Sequence, residues 1–317
     1  MRVKRSSILV FVFMITLLFS GCRKGDVKEE EKQSPTTQVT QDLEVTPTET
    51  KTNVEPEKAI TDSNQLRIVS FSPSITEIIY ALGASNLLVG RTDYCDYPQE
   101  VTTIESVGDF YNPNIEKILS LDPDLVIASS LWTEDIETKF TEVGIQVLVL
   151  NDNSKVEDVF AMISTLGVYL QKEDEATILI EEMQAELSSI MESIEGLQTK
   201  TVYYVAGYGE YGDYTATGDT YIHDMITLAG GDNIAKDATG WLYSLETLIE
   251  KDPEVILIGS FAIDDFLASK NYQSLSAVKN NQVYAVDANL FDRQSNRTVE
   301  GIRLIASILH PEAVTTE

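Results

Sequence analysis

The sequence predicts an α/β protein of two lobes, each a mainly parallel sheet flanked by helices, bridged by one long α-helix. Three observations predict it. From residue 66 onward, short apolar runs rich in β-branched residues alternate with helical patterns, the arrangement of a parallel sheet covered on both faces. The segment NIEKILSLDPDLVIAS at 114–129 returns as SLETLIEKDPEVILIG at 244–259, so one supersecondary unit occurs in each half. Between the halves, from Val156 to Ile194, everything reads as helix.

In chain order, residues 1–21 are predicted to be a signal peptide. Arg2, Lys4 and Arg5 precede a nearly unbroken apolar run from Ile8 to Phe19, too short to span a bilayer. The run ends in LFSGC, which resembles the lipobox of bacterial lipoproteins; that resemblance implies cleavage before Cys22 and lipidation of Cys22. Residues 22–64 are dominated by Thr, Glu, Gln, Lys and Pro, a composition that cannot bury enough apolar surface to order itself. As a coil this tether has a mean reach of roughly 35 Å. With Cys22 lipidated, Cys95 has no intrachain partner and reads as a small, half-buried hydrophobe.

The N-terminal lobe is expected over 65–155. Leu66 to Phe71 is a strand, Ser72-Pro73-Ser74 a turn carrying an N-cap, and Ile75 to Leu82 a helix stopped at Gly83. A strand at Leu87–Gly90 follows. In the repeated unit, Asn114 and Ser244 are N-cap residues, and Asp-Pro ends the helix because Pro disfavours helical geometry for the residue before it. Buried strands follow at Leu125 to Ala128 and Val255 to Ile258. A helix near Thr133–Val143 and a strand at Gln146–Leu150 complete the lobe. Residues 156–198 form the helical region, with a break at Lys172–Asp174 and then a linking helix of about 22 residues, roughly 33 Å long. Such a rod permits rocking and resists wide hinge closure. The C-terminal lobe, 199–317, is expected to hold strands at Thr201–Ala206 and Gln282–Val286, and helices at Thr220–Ala229, near Asp264–Leu267 and at Thr298–Leu309.

Composition excludes some functions. With 23 Lys+Arg against 51 Asp+Glu the surface repels nucleic-acid phosphates. The two His, His223 and His310, have no Cys or His at metal-ligand spacing, so no metal site is expected. GxSxG, P-loop and HExxH motifs are absent, and GYGEYGDYTATG reads as a loop, so no enzyme and no cofactor are expected. The informative signal is aromatic. Tyr203, Tyr204, Tyr208, Tyr211, Tyr214, Tyr221 and Tyr243 crowd one stretch with Trp241, and Tyr94, Tyr97, Phe110 and Tyr111 crowd another. Many fall after strands, where α/β sheets bind ligands, and rigid aromatic faces suit a large, flat guest. Core packing is the competing explanation for each one singly. Glu116 and Glu246 occupy matching first-turn positions. They either favour the helix dipole or present one acid per lobe to a two-fold symmetric partner.

RIVSFSPSITEIIYALGA, DYCDYP, SVGDFYNPNIEKILSLDPDLVIAS and NQVYAVDANLF together resemble the substrate-binding proteins of ABC importers for cobalamin, ferric siderophores and haem, over residues 66–310. The resemblance implies a monomeric receptor on the extracytoplasmic face of the cell membrane, held by its lipid anchor. Its implied partners are a small-molecule metal chelate bound between the lobes, and a permease dimer with its ATPase subunits. It also implies transporter docking by Glu116 and Glu246. The chain looks most similar to the cobalamin-binding type, although Phe110 and Asn289 stand where those proteins carry Trp and an acid. By position the resemblance implies guest contacts from Pro73, Ser74, Tyr97, Phe110, Tyr208, Trp241, Phe291 and Arg293. A ferric siderophore or haem as guest stays open, as does a sensing or adhesive surface lipoprotein with no transporter.

Overall fold

A computed structural model of the chain describes residues 66–110, 113–129, 133–151, 154–210 and 212–315. The signal segment, Cys22, the tether, Tyr111 and Tyr211 lie outside the described residues.

The first lobe runs β1 (Ile68–Ser70), α1 (Pro73–Ala81), β2 (Leu88–Arg91), α2 (Ile115–Ser120), β3 (Leu125–Ala128), α3 (Glu134–Glu142) and β4 (Gln146–Val149). Its sheet has the order β2-β1-β3-β4, all parallel. Pro73 opens α1, where its missing N–H is no loss, and Gly83 at φ 67° ends it. Ser72 stands at the N-cap but makes no side-chain cap bond.

Next come α4 (Val156–Leu170) and α5 (Glu173–Ile194), broken at Gln171, whose φ of 53° turns the chain back. The turn is tight because Gly167 lets α4 approach α5: a Cβ there would lie 2.6 Å from Cβ of Ala176.

The second lobe runs β5 (Lys200–Val205), β6 (Asp213–Tyr214), α6 (Tyr221–Leu228), β7 (Gly231–Asn233), β8 (Leu242–Tyr243), α7 (Leu245–Lys251), β9 (Val255–Gly259), α8 (Ile263–Ala268), α9 (Ser276–Lys279), β10 (Val283–Val286), α10 (Asn289–Asp292) and α11 (Thr298–Leu309). Its main sheet, β7-β5-β9-β10, is parallel and matches β2-β1-β3-β4 strand for strand. Part of the predicted Tyr-rich loop is instead ordered as an antiparallel ribbon, β6 on β8, with Asp213 opposite Tyr243.

The repeat holds at atomic detail. Asn114 Oδ1 accepts from Lys117 N at 3.0 Å and Ser244 Oγ from Thr247 N at 3.1 Å. Asp122 and Asp252 take left-handed φ values of 46° and 42°. Asp124 Oδ2 then accepts from Arg67 N at 2.9 Å just before β1, as Glu254 Oε2 accepts from Thr201 N at 2.8 Å in β5.

The linking helix is embedded in the core. One core cluster runs from Ile68, Ile75 and Leu125 through Leu166, Met183 and Ile190 to Val202, Val255 and Ile302, so α4 and α5 are the middle of a core shared by both lobes. The opposite face of each sheet has a separate cluster, around Val126 and Phe140 in the first lobe and around Ile256 and Phe266 in the second. Gly167→Ala is expected to wedge α4 from α5 and destabilise the protein by roughly 1–3 kcal/mol, read as a lower denaturant midpoint.

Candidate functional site

Ligands of open α/β sheets sit outside the carboxyl ends of the strands. Here the carboxyl ends of both main sheets contribute to one cavity of ≈ 310 Å³, lined by Ser72, Pro73, Ser74, Tyr94, Phe110 and Ser129 from the first lobe and Asp292 and Arg293 from the second. Ser72 to Ser74 follow β1 and Ser129 follows β3, while Asp292 closes α10 after β10. A larger hollow beside α3 is lined by Glu137, Thr138, Thr141 and Glu142 among the described residues, all from one helix of one lobe.

Four predicted contacts, Pro73, Ser74, Phe110 and Arg293, line the cavity. The Phe110 ring stacks on Tyr94 at 4.7 Å with 9° between planes. Tyr97 is not among the lining residues. It is 45% exposed, and the Arg297 guanidinium lies 4.0 Å from its ring centroid. Tyr208 is half-buried, edge-on to Phe266 and Tyr272, and its hydroxyl donates to the Ala262 carbonyl at 3.1 Å. Trp241 is 41% exposed with φ 70°, a left-handed conformation that costs a non-glycine residue free energy. Its carbonyl accepts from Thr215 N at 2.8 Å and its N–H donates to Thr217 Oγ1 at 3.2 Å, bonds that hold it there.

Phe291 is corrected. It is 0% exposed and packs its ring on Tyr204 of β5 at 5.7 Å, so it anchors α10 to the sheet and shows a guest no face. Much of the aromatic clustering has the same explanation. Tyr203, Tyr204, Tyr221 and Tyr243 are buried core. Tyr203 and Tyr204 lie in β5, a central strand of a sheet covered on both faces.

Arg293 lines the cavity as a paired cation. Its Nη1 lies 2.9 Å from Glu77 Oε1 and 2.7 Å from Asp96 Oδ1, and its Nη2 donates to the Tyr94 carbonyl at 3.3 Å. Burial alone would lower its pKa, and the bonds to Asp96 and Glu77 more than offset that, leaving it raised. Arg297 is also paired, with Glu300 at 3.2 Å and Glu77 at 3.9 Å. Beside them, burial pushes the Asp292 carboxyl above the usual carboxylate range, although the Tyr204 hydroxyl and Arg293 act in the opposite direction.

Two residues of consequence escaped the sequence reading. Phe261 follows β9 and is 87% exposed, next to the Ala262 carbonyl that Tyr208 holds. A single Phe after a strand gave no signal. Glu77 sits inside α1, where only a helix was read. Glu116 and Glu246 are both exposed in the first turns of α2 and α7, as expected. Among the described residues no group of three or more His, Cys, Asp or Glu is placed to hold a metal, and no helix is long and apolar enough to cross a membrane.

A family model described as periplasmic binding protein matches residues 68–290. Over 317 residues the chain is 29% identical to the uncharacterised ABC transporter substrate-binding lipoprotein YvrC of Bacillus subtilis, covering 98% of each chain. Among solved structures, the periplasmic vitamin B12 binding protein BtuF of Vibrio cholerae is 28% identical, with a TM-score of 0.66 over 77% of this chain and 96% of that one. The periplasmic heme-binding protein RhuT of Roseiflexus sp. RS-1, in apo form, has a TM-score of 0.72 over 78% of this chain and 99% of that one; at 23% identity it bears on the fold alone.

The strained backbone of Trp241 separates stability from binding. Trp241→Gly is expected to be more stable than Trp241→Ala by about 1 kcal/mol, since only glycine adopts the left-handed conformation without penalty. The check is chemical denaturation of both variants.

Proposed function

The chain belongs to the periplasmic binding protein family, and we propose that it is the receptor of an ABC importer, taking a corrinoid into the cleft between its lobes and delivering it to the permease. The observation that carries the corrinoid reading is the pairing of Arg293, which lines the cavity, and of Arg297 near it with carboxylates of the protein. Ferric catecholates are polyanions and haem carries two propionates; both gain from unpaired basic groups. A corrinoid bears a rim of neutral amides, which suits Ser72, Ser74, Ser129 and the hydrogen-bonding Asp292 carboxyl. The flat macrocycle is larger than the cavity, so part of it extends past the lining. The Tyr94–Phe110 stack, Tyr97, Tyr208, Phe261 and Trp241 are the faces proposed to cover it.

No chemistry on the guest is proposed; its metal stays within its own chelator. Delivery rests on Glu116 and Glu246, one per lobe, meeting basic pockets on the two permease subunits. Such exposed charges chiefly set orientation and on-rate. Lipid on Cys22 and the tether of residues 22–64 keep the receptor on the extracytoplasmic face of the membrane. A second reading, a ferric haem or siderophore guest, is favoured by one observation: Tyr94 and Tyr97 present exposed phenols beside the cleft, and phenols ligate iron(III).

Calorimetric titration of the full chain in detergent with cyanocobalamin is expected to give saturable one-to-one binding at micromolar affinity or tighter, with haemin weaker by at least tenfold. Tighter haemin with no cyanocobalamin heat would transfer the assignment to the second reading. Phe261→Ala is expected to weaken cyanocobalamin binding roughly tenfold, the scale of one lost aromatic contact. Glu116→Ala combined with Glu246→Ala is expected to leave affinity unchanged and abolish uptake by cells; normal uptake would remove the docking role.

A further inference from the structure

We propose that Glu77 and Arg293 form a latch across the cleft that fixes the separation of the two lobes, and with it the span between the helices α2 and α7. Glu77 is carried by α1 of the first lobe and is 2% exposed. The partners of its carboxylate come from the other lobe. Oε1 meets Arg293 Nη1 at 2.9 Å, and Oε2 accepts from Ser295 Oγ at 2.6 Å. Both oxygens are thus held in different directions by one short stretch of chain, which fixes position better than a single contact.

The same guanidinium takes Asp96 at 2.7 Å and the Tyr94 carbonyl at 3.3 Å, so it grips α1 and the loop after β2 together. Four residues further, Arg297 lies over the Tyr97 ring of that loop and 3.9 Å from Glu77. These contacts join residues about two hundred positions apart, on the cleft side of the molecule. The shared core around α4 and α5 joins the lobes independently. With two separate attachments the lobes cannot rock about the helices alone without parting Glu77 from Arg293. Arg293 is therefore a positioning residue, and the loop that carries Tyr94 and Tyr97 is placed by it.

The consequence for the transporter rests on the docking role proposed for Glu116 and Glu246, but the geometry does not. The test uses neither guest nor permease. Spin labels are placed at Ser120→Cys and Lys251→Cys, exposed sites at the ends of α2 and α7, in the full chain with Cys22→Ser in detergent. The distance between labels is read by pulsed electron resonance. The parent is expected to give one narrow distribution. Glu77→Gln and Arg293→Gln are each expected to broaden it and shift it to longer distance.

The double variant Glu77→Gln with Arg293→Gln separates positioning from charge compensation. It leaves no unpaired buried charge, so its melting temperature is expected to recover towards the parent while the distribution stays broad. A narrow, parent-like distribution in the double variant would overturn the latch. Asp96→Asn, at the exposed end of the network, leaves Glu77 paired and the fold unburdened. It is expected to broaden the distribution to a lesser degree, and an unchanged distribution there as well as in Glu77→Gln would also overturn the proposal.

Discussion

A carboxylate buried on one lobe and neutralised from the other is the constraint around which this molecule is arranged. Glu77 lies within α1, among residues chosen for packing: Ile75, Ile78 and Ile79 beside it are fully buried. An ionised group in such a place is tolerated only when paired and hydrogen-bonded, and removing one member of a buried pair typically costs roughly 3–5 kcal/mol. Arg293 and Ser295 meet that need from the second lobe. The cleft is therefore a seam with one electrostatic clasp at its edge and a continuous apolar core along α4 and α5 at its back.

That clasp also decides what the cleft offers a guest. The guanidinium that lines the cavity is already engaged by Glu77 and Asp96, and Arg297 by Glu300 and the Tyr97 ring. What is left for recognition is serine hydroxyls, a carboxyl raised by burial and a set of aromatic faces. On this combination rests the proposal of a neutral, amide-rimmed macrocycle over an anionic chelate. The aromatic faces are aimed by their supports. Trp241 is held in a left-handed conformation by Thr215 and Thr217, and Tyr208 is braced by Phe266, Tyr272 and the Ala262 carbonyl.

The architecture was legible because the chain states it twice. Matching N-caps, Asp-Pro stops and following acids in 114–129 and 244–259 became matching helices, left-handed turns and strand-start hydrogen bonds, and the two sheets share one strand order. The site was legible only in part. The resemblance gave Pro73, Ser74, Phe110 and Arg293 by position, and these four line the cavity. Aromatic density misled at the core tyrosines, because a buried central strand recruits the same residue types as a binding face, and position within the resemblance misled at Phe291, which α10 buries. Glu77 and the pairing of Arg293 were not legible at all. A salt bridge across 216 positions leaves no local pattern, and the exposure of Phe261 depends on where β9 ends.

A crystal structure grown with cyanocobalamin addresses both the site and the latch. The corrin ring is expected between the Pro73–Ser74 turn and Tyr97 on one side and Tyr208, Phe261 and Trp241 on the other, with Glu77 still bonded to Arg293. A corrinoid bound away from this cleft, or a cleft that admits it only after Glu77 and Arg293 have separated, would contradict the account.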